Sequence, residues 1–289
     1  MEVSKKLVKR GNKVTVLTEN YFDSLKKGEN TENISVFRIK YPRIKFIGLL
    51  TIWLKIIKNC HLIRQADIIH IHDVFIWYLP LRFIFPKKRV FITFHGWEGK
   101  YPIPKTSIIQ KRLAWKLTEG NICVGNYISK IYGIKSDIVT FGGVKDGGGV
   151  LKKANNSIVY VGRLEKDTGL EIFLAWLSKN PQFKVEFCGD GNLRDRCEKF
   201  GRVRGFCDPT FLMQRSEYCV PGGYLSAIEA MVYKCKILVF WSNPLKKDIW
   251  QDTPFYGWIK NNNTTSAYVW ARRQTWDKLT EEYQSLWRI

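Results

Sequence analysis

Short runs of consecutive apolar residues alternate along the chain with segments whose apolar positions recur every three or four residues. The runs "KVTVLT" (13–18), "ISVFRI" (34–39), "DIIHIH" (67–72), "RVFITFHG" (89–96), "NICVG" (121–125) and "SDIVTFGG" (136–143) read as strands. The stretches "VSKKLVKRG" (3–11), 46–65, "FIWYLPLRFIF" (75–85, broken near Pro80) and "SIIQKRLAWKLTE" (107–119) read as helices. Apolar runs that do not alternate belong to strands buried on both faces, as in a parallel sheet between helix layers.

A Gly- and Lys-rich break, "GGVKDGGGVLKKANN" (142–156), interrupts the pattern, which then restarts. Strands are expected at 157–162, 184–189, 202–206, 217–220 and 235–240, with helices at 169–179, 192–200, 208–215 and 223–233. One long amphipathic helix is expected over 264–289. The fold class is therefore α/β, with two Rossmann-like domains facing each other across a cleft. The boundaries expected are 1–145 for the first domain, 146–156 for the linker, 157–262 for the second domain, and 263–289 for a terminal helix returning to the first. Ligands of such sheets bind beyond the carboxyl ends of the strands.

Charge sharpens the picture. The chain of 289 residues carries a net charge of +21. Residues 1–150 hold 26 Lys/Arg against 11 Asp/Glu, so +15; the rest hold 21 against 15, so +6. This asymmetry suits a polyanionic partner: nucleic acid, an anionic membrane surface or a phosphorylated substrate. The basic residues are dispersed and no nucleic-acid-binding motif is present, so no nucleic-acid partner is expected. Seven cysteines without a C-x-x-C pair read as reduced, mostly buried thiols of a cytoplasmic protein. The charged N-terminus lacks the apolar core of a signal peptide, and "FIGLLTIWLKII" (46–57) is too short to cross a bilayer. The surrounding stretch 41–65 is basic and amphipathic. It suits docking on an anionic membrane face, and equally an ordinary helix with its apolar side on the sheet.

The loops after the strands carry a recognisable text. "VYVGRLEKDTGLEIFL" (159–174), "VEFCGDGNLRD" (185–195), "VRGF" (203–206) and "GGYLSAIEAM" (222–231) resemble, in order, the donor-binding domain of family 4 glycosyltransferases, which have the GT-B fold. "LVKRGNKVTVLT", "ADIIHIHD" and "FITFHG" are similar to the first domain of that family, and the terminal Trp276, Tyr283 and Trp287 to its last helix. The resemblance implies a retaining, metal-independent transfer of sugar from a UDP- or GDP-sugar to a glycan or lipid-linked acceptor, with no further cofactor. It places Glu229 on the ribose hydroxyls, where a carboxylate accepts two donors. Gly162, Gly189, Gly191, Gly222, Gly223, Tyr224 and Leu225 would surround the donor, the glycine backbone and a helix N-terminus favouring its diphosphate. Arg163 would bind the diphosphate, and His95 would contact the transferred sugar; with Glu229 these form the catalytic set. The chain departs from the family at two places. Pro221 stands where an acid is usual, and Thr168 where a phosphate-binding Lys is usual, leaving Lys166 as the substitute. These departures also fit a non-catalytic homologue that binds nucleotide. The family fold opens on a central strand and glycine-rich loop before the helix that "MEVSKKLVKRG" matches, so a segment of about 20–35 residues is expected before Met1. His70 and His72 share one face of a strand and are expected to make local hydrogen bonds instead of holding metal.

Overall fold

The computed structural model of the chain describes every residue except 22–24, 97–98, 100, 146–148 and 289. The start of the expected linker, 146–148, lies outside the described residues.

The first half contains α1 (Glu2–Lys9), β1 (Val14–Glu19), β2 (Gly28–Thr31), β3 (Ile34–Ile39), α2 (Lys45–Lys58), α3 (Cys60–Gln65) and β4 (Ile68–His72). It continues with α4 (Phe75–Ile84), β5 (Arg89–Phe94), α5 (Lys105–Lys116), β6 (Gly120–Val124), α6 (Tyr127–Tyr132) and β7 (Ile138–Thr140). Its strands form two sheets. One is β1-β3-β2, with β1 and β3 parallel and β2 antiparallel. The other is β4-β5-β6-β7, parallel throughout. Val90 to Phe94 of β5 are all buried, because helices cover both faces of this central strand.

The second half contains β8 (Ala154–Val161), α7 (Leu170–Ser178), β9 (Lys184–Cys188), α8 (Arg194–Glu198), β10 (Gly201–Val203), α9 (Thr210–Arg215), β11 (Ser216–Pro221), α10 (Tyr224–Val232) and β12 (Lys236–Ile237). Four helices follow: α11 (Pro244–Gln251), α12 (Tyr256–Lys260), α13 (Thr264–Arg272) and α14 (Trp276–Trp287). The sheet order is β10-β9-β8-β11-β12, all parallel, so the chain starts in the middle and winds outward both ways. Ile158 and Tyr160 pack into the core on one face and Val159 into that on the other.

The structure revises the sequence reading at several points. The helix expected over 46–65 is two, meeting at Asn59. Helix α4 runs through Pro80 without a break. Proline has no N–H to give the carbonyl of Ile76, four residues back, and the Trp53 indole donates to that oxygen instead (2.8 Å). The terminal helix is also two. The Thr275 hydroxyl accepts from Lys278 N (3.1 Å) and starts a new helix after the turn at 273–275. Helix α13 packs on α10 in the second half, whereas α14 packs on α1 in the first. Lys6 reaches Asp277 (2.6 Å), and Arg10 reaches Gln284 (2.6 Å) and Glu281 (3.2 Å). Strand β12 is only two residues long.

Candidate functional site between the two sheets

The carboxyl ends of the strands converge on one cleft of about 2150 Å³. Single-ligand sites usually measure about 300–1,000 Å³, so this cleft has room for two substrates. It extends between β1 and β4, whose Val14, Val16 and Ile68 line it, and those two strands are not hydrogen-bonded neighbours.

The second-half wall is built from three glycines in contact. A Cβ on Gly222 would lie 2.9 Å from the Cα of Gly162, and one on Gly189 would lie 1.9 Å from the Gly162 carbonyl oxygen. A Cβ on Gly191 would come within 2.6 Å of the Leu164 carbonyl. Gly162 and Gly222 line the cleft, but Gly189 and Gly191 do not. The Gly-Asp-Gly loop therefore sets how closely strand ends approach, and its glycines stay outside the cavity. Gly222, Gly223, Tyr224, Leu225 and Ser226 bring the N-terminus of α10 to the cleft. Its first N–H groups have no helical partner and favour an anion.

Arg163 lines the cleft and donates to Asp167 Oδ2 (2.7 Å). Lys166, the expected second cation, lies in a 3₁₀ turn, is exposed and stays outside the cavity. Thr168 closes that turn, donating to the Glu165 carbonyl (2.6 Å) and accepting from the Tyr160 hydroxyl (3.0 Å). Lys246 of α11 lines the cleft in place of Lys166. Burial holds its ammonium below the usual range, and the Asp167 carboxylate opposes that shift. Lys246 was missed from the sequence, although its signal is legible: Asn243 caps α11 (Lys246 N to Asn243 Oδ1, 2.9 Å) and Pro244 takes the first helical position.

Glu229 faces the cleft from α10. Burial raises its pKa above the usual carboxylate range; Asp208 adds to this and Lys145 opposes it. Among the described residues no group donates a hydrogen bond to its carboxylate. A half-buried carboxylate without donors is costly unless a ligand supplies them. Tyr224 lines the cleft, and its side chain also braces the wall. Its hydroxyl donates to the Ile249 carbonyl (2.7 Å), and its ring packs edge-on against Phe141, Trp250 and Phe255. Leu225 is partly exposed at the rim, against Gly142.

On the opposite wall, His95 follows β5. Its Nε2 lies 2.7 Å from Nδ1 of His72, so at most one of the two facing nitrogens carries a proton. Burial lowers the pKa of His72 to about 4 and also lowers that of His95, so both rings are neutral at pH 7. The Asp73 carboxylate, at φ 57°, accepts from His95 N (3.0 Å) and Lys111 Nζ (3.1 Å) and fixes the loop. His70 makes the local bonds expected of it. The Trp287 indole donates to its Nδ1 (2.9 Å), leaving Nε2–H for Thr93 Oγ1 (2.7 Å), and the Tyr283 hydroxyl lies 2.9 Å from that oxygen. Residues of α14 thus reach the cleft floor.

Comparison with known proteins places this geometry. The model of Glycosyltransferase Family 4 matches residues 1–132. The whole chain superposes on sucrose-phosphate synthase from Thermosynechococcus elongatus with a TM-score of 0.72 at 14% identity, covering 99% of this chain and 91% of that one. Anabaena HepE, solved with UDP and glucose, gives 0.59 at 14% identity over 88% and 87%. The catalytic domain of Arabidopsis thaliana starch synthase IV, solved with ADP and acarbose, gives 0.58 at 11% identity over 99% and 94%. No curated protein sequence matches the chain. Over its whole length the chain shares the fold of these proteins.

Proposed function

We propose that the chain transfers a sugar, with retention and without metal, from a UDP- or GDP-sugar to a glycan or lipid-linked hydroxyl. The observation that carries this reading is the Glu229 carboxylate, without donors among the described residues, on the same cleft as Arg163, Lys246 and the α10 N-terminus. The carboxylate matches two ribose hydroxyls. The cations and N–H groups match a diphosphate, whose charge grows as the glycosidic bond breaks. His95, neutral and held by His72, presents its ring to the sugar from the acceptor side. Nucleotides on structural neighbours such as HepE and starch synthase IV support the donor class. Calorimetric titration with UDP, GDP and ADP, with and without Mg²⁺, tests it. Saturable binding of one nucleotide that is indifferent to Mg²⁺ is expected, and no binding by the folded chain refutes it.

The same reading puts the protein on the cytoplasmic, anionic face of a membrane. Helix α2 buries Ile52 and Ile56 but exposes Phe46 (85%), Ile47, Leu50, Leu54 and Ile57. Exposed Arg43 and Lys58 flank that apolar stripe. Apolar area together with basic charge is the combination that binds anionic lipid surfaces. Among the described residues no helix is long and apolar enough to cross the bilayer. Co-sedimentation with phosphatidylglycerol vesicles, lost in Phe46→Ser/Leu50→Ser and absent with phosphatidylcholine alone, is the expected outcome.

A further inference from the structure

We propose that Cys188 and Cys207 form a reversible oxidation site whose disulfide ties together two loops beside the cleft. Their sulfurs lie 3.2 Å apart. Cys188 is buried at the end of β9, and Cys207 is exposed in the segment between β10 and α9. The backbone holds the two in register. Arg204 N donates to the Phe187 carbonyl (2.9 Å), and Gly189 N to the Gly205 carbonyl (2.8 Å). An exposed thiol meets an oxidant from solvent, and a buried thiol beside it resolves the product. Arg204 and Glu186 are the charged groups that face Cys188. Cys219, buried on β11, is separated from Cys188 on β9 by the intervening strand β8.

The oxidant is a peroxide. The Cys207 thiolate attacks one peroxide oxygen and the O–O bond breaks, giving a Cys207 sulfenic acid; the departing hydroxide takes up the proton that the thiol had released and leaves as water. Cys188 sulfur then attacks Cys207 sulfur, and the S–O bond breaks. The departing hydroxide takes the Cys188 proton and leaves as the second water. Two thiols lose two hydrogens and two electrons, and one peroxide becomes two waters. External thiol reverses the link by exchange.

The position gives the link a consequence. Cys207 is followed by Asp208 and Pro209. Pro209 lines the cleft, and Asp208 acts electrostatically on Glu229. Drawing Cys207 onto β9 shifts this wall. This regulatory half rests on the donor-site reading; the covalent link does not.

The test is peptide mapping under non-reducing conditions after treating the folded chain with hydrogen peroxide. A Cys188–Cys207 cross-linked peptide, short of two hydrogens and restored by dithiothreitol, is expected. It should be accompanied by a rise in Tm that Cys207→Ser abolishes, because closing a loop in the unfolded chain stabilises the folded one. Cys207 found as sulfinate with Cys188 free, or Cys188 linked to Cys219, overturns the proposal. Titration of the nucleotide that binds, before and after oxidation, should show a several-fold change in affinity absent in Cys207→Ser. Equal affinities in a chain shown to be linked overturn the regulatory half alone.

Discussion

Replacing Glu229 with Gln should weaken nucleotide binding and stabilise the protein at the same time. The two effects come from one feature, a carboxylate partly removed from water with no donor among the described residues to compensate it. Burial raises its pKa, so the folded state prefers the neutral form. For an acid shifted upward, the unfolded state binds fewer protons between the two pKa values, and stability falls as pH rises through that interval. At pH 7 the charge is therefore a cost, which a neutral Gln of the same shape removes. Binding moves the other way. Hydrogen bonds to a charged acceptor contribute about 1.5–3 kcal/mol. Losing the charge should thus weaken the nucleotide about 10- to 150-fold at about 1.4 kcal/mol per decade. The measurements are Tm by differential scanning and Kd by calorimetry, on wild type and Glu229→Gln, at pH 7. A higher Tm with a weaker Kd is expected. Unchanged affinity refutes the role given to Glu229, and a lower Tm refutes the claim that its charge is uncompensated.

Four further outcomes follow from the geometry. Lys246→Ala should weaken nucleoside diphosphate more than nucleoside, whereas Lys166→Ala should leave both unchanged in calorimetry, because only Lys246 lines the cleft. Asp167→Asn frees Arg163 from its ion pair, so diphosphate affinity should rise up to about five-fold, the worth of a partly exposed pair at about 1 kcal/mol. Thr93→Val leaves His70 and Tyr283 without their shared partner and should cost about 1–3 kcal/mol in urea unfolding. The folded-state pKa of His72 lies near 4, below its unfolded value near 6.5. Tm should therefore hold above pH 6.5 and fall as pH drops toward 4, a slope that His72→Gln flattens.

The strands were legible because residues such as Val90 to Phe94 and Ile158 to Tyr160 are buried on both faces and leave an unbroken apolar run. Helix ends were less so. Pro80 reads as a break, and only the Trp53 indole, 27 residues earlier, shows why it is not one. Among candidate site residues, Glu229 and Arg163 belong to segments that the order of motifs picks out, and both line the cleft. Gly189 and Gly191 stand in the same text but serve backbone packing, a distinction that depends on how closely β8 and β9 approach. Lys246 lies far along the chain from the Arg163 loop, so no local spacing joins them. Asp73 and Lys111 likewise meet only through tertiary packing.

The chain passes between the two halves twice, after β7 and again between α13 and α14, and the two passages lie side by side. Val144 N donates to the Gln274 carbonyl (2.7 Å), and Val144 pairs with Thr275 as a parallel bridge. Two ropes tied together at one point act as a single pin. The halves then have one easy axis of swing, and twisting or sliding must tear the knot. The Val144–Gln274 bond ends on a backbone carbonyl, which every substitution at 274 keeps, so the axis survives side-chain changes and yields only where the backbone itself is displaced. Paired spin labels across the cleft should report one distance coordinate that opens and closes, with labels beside Val144 staying still.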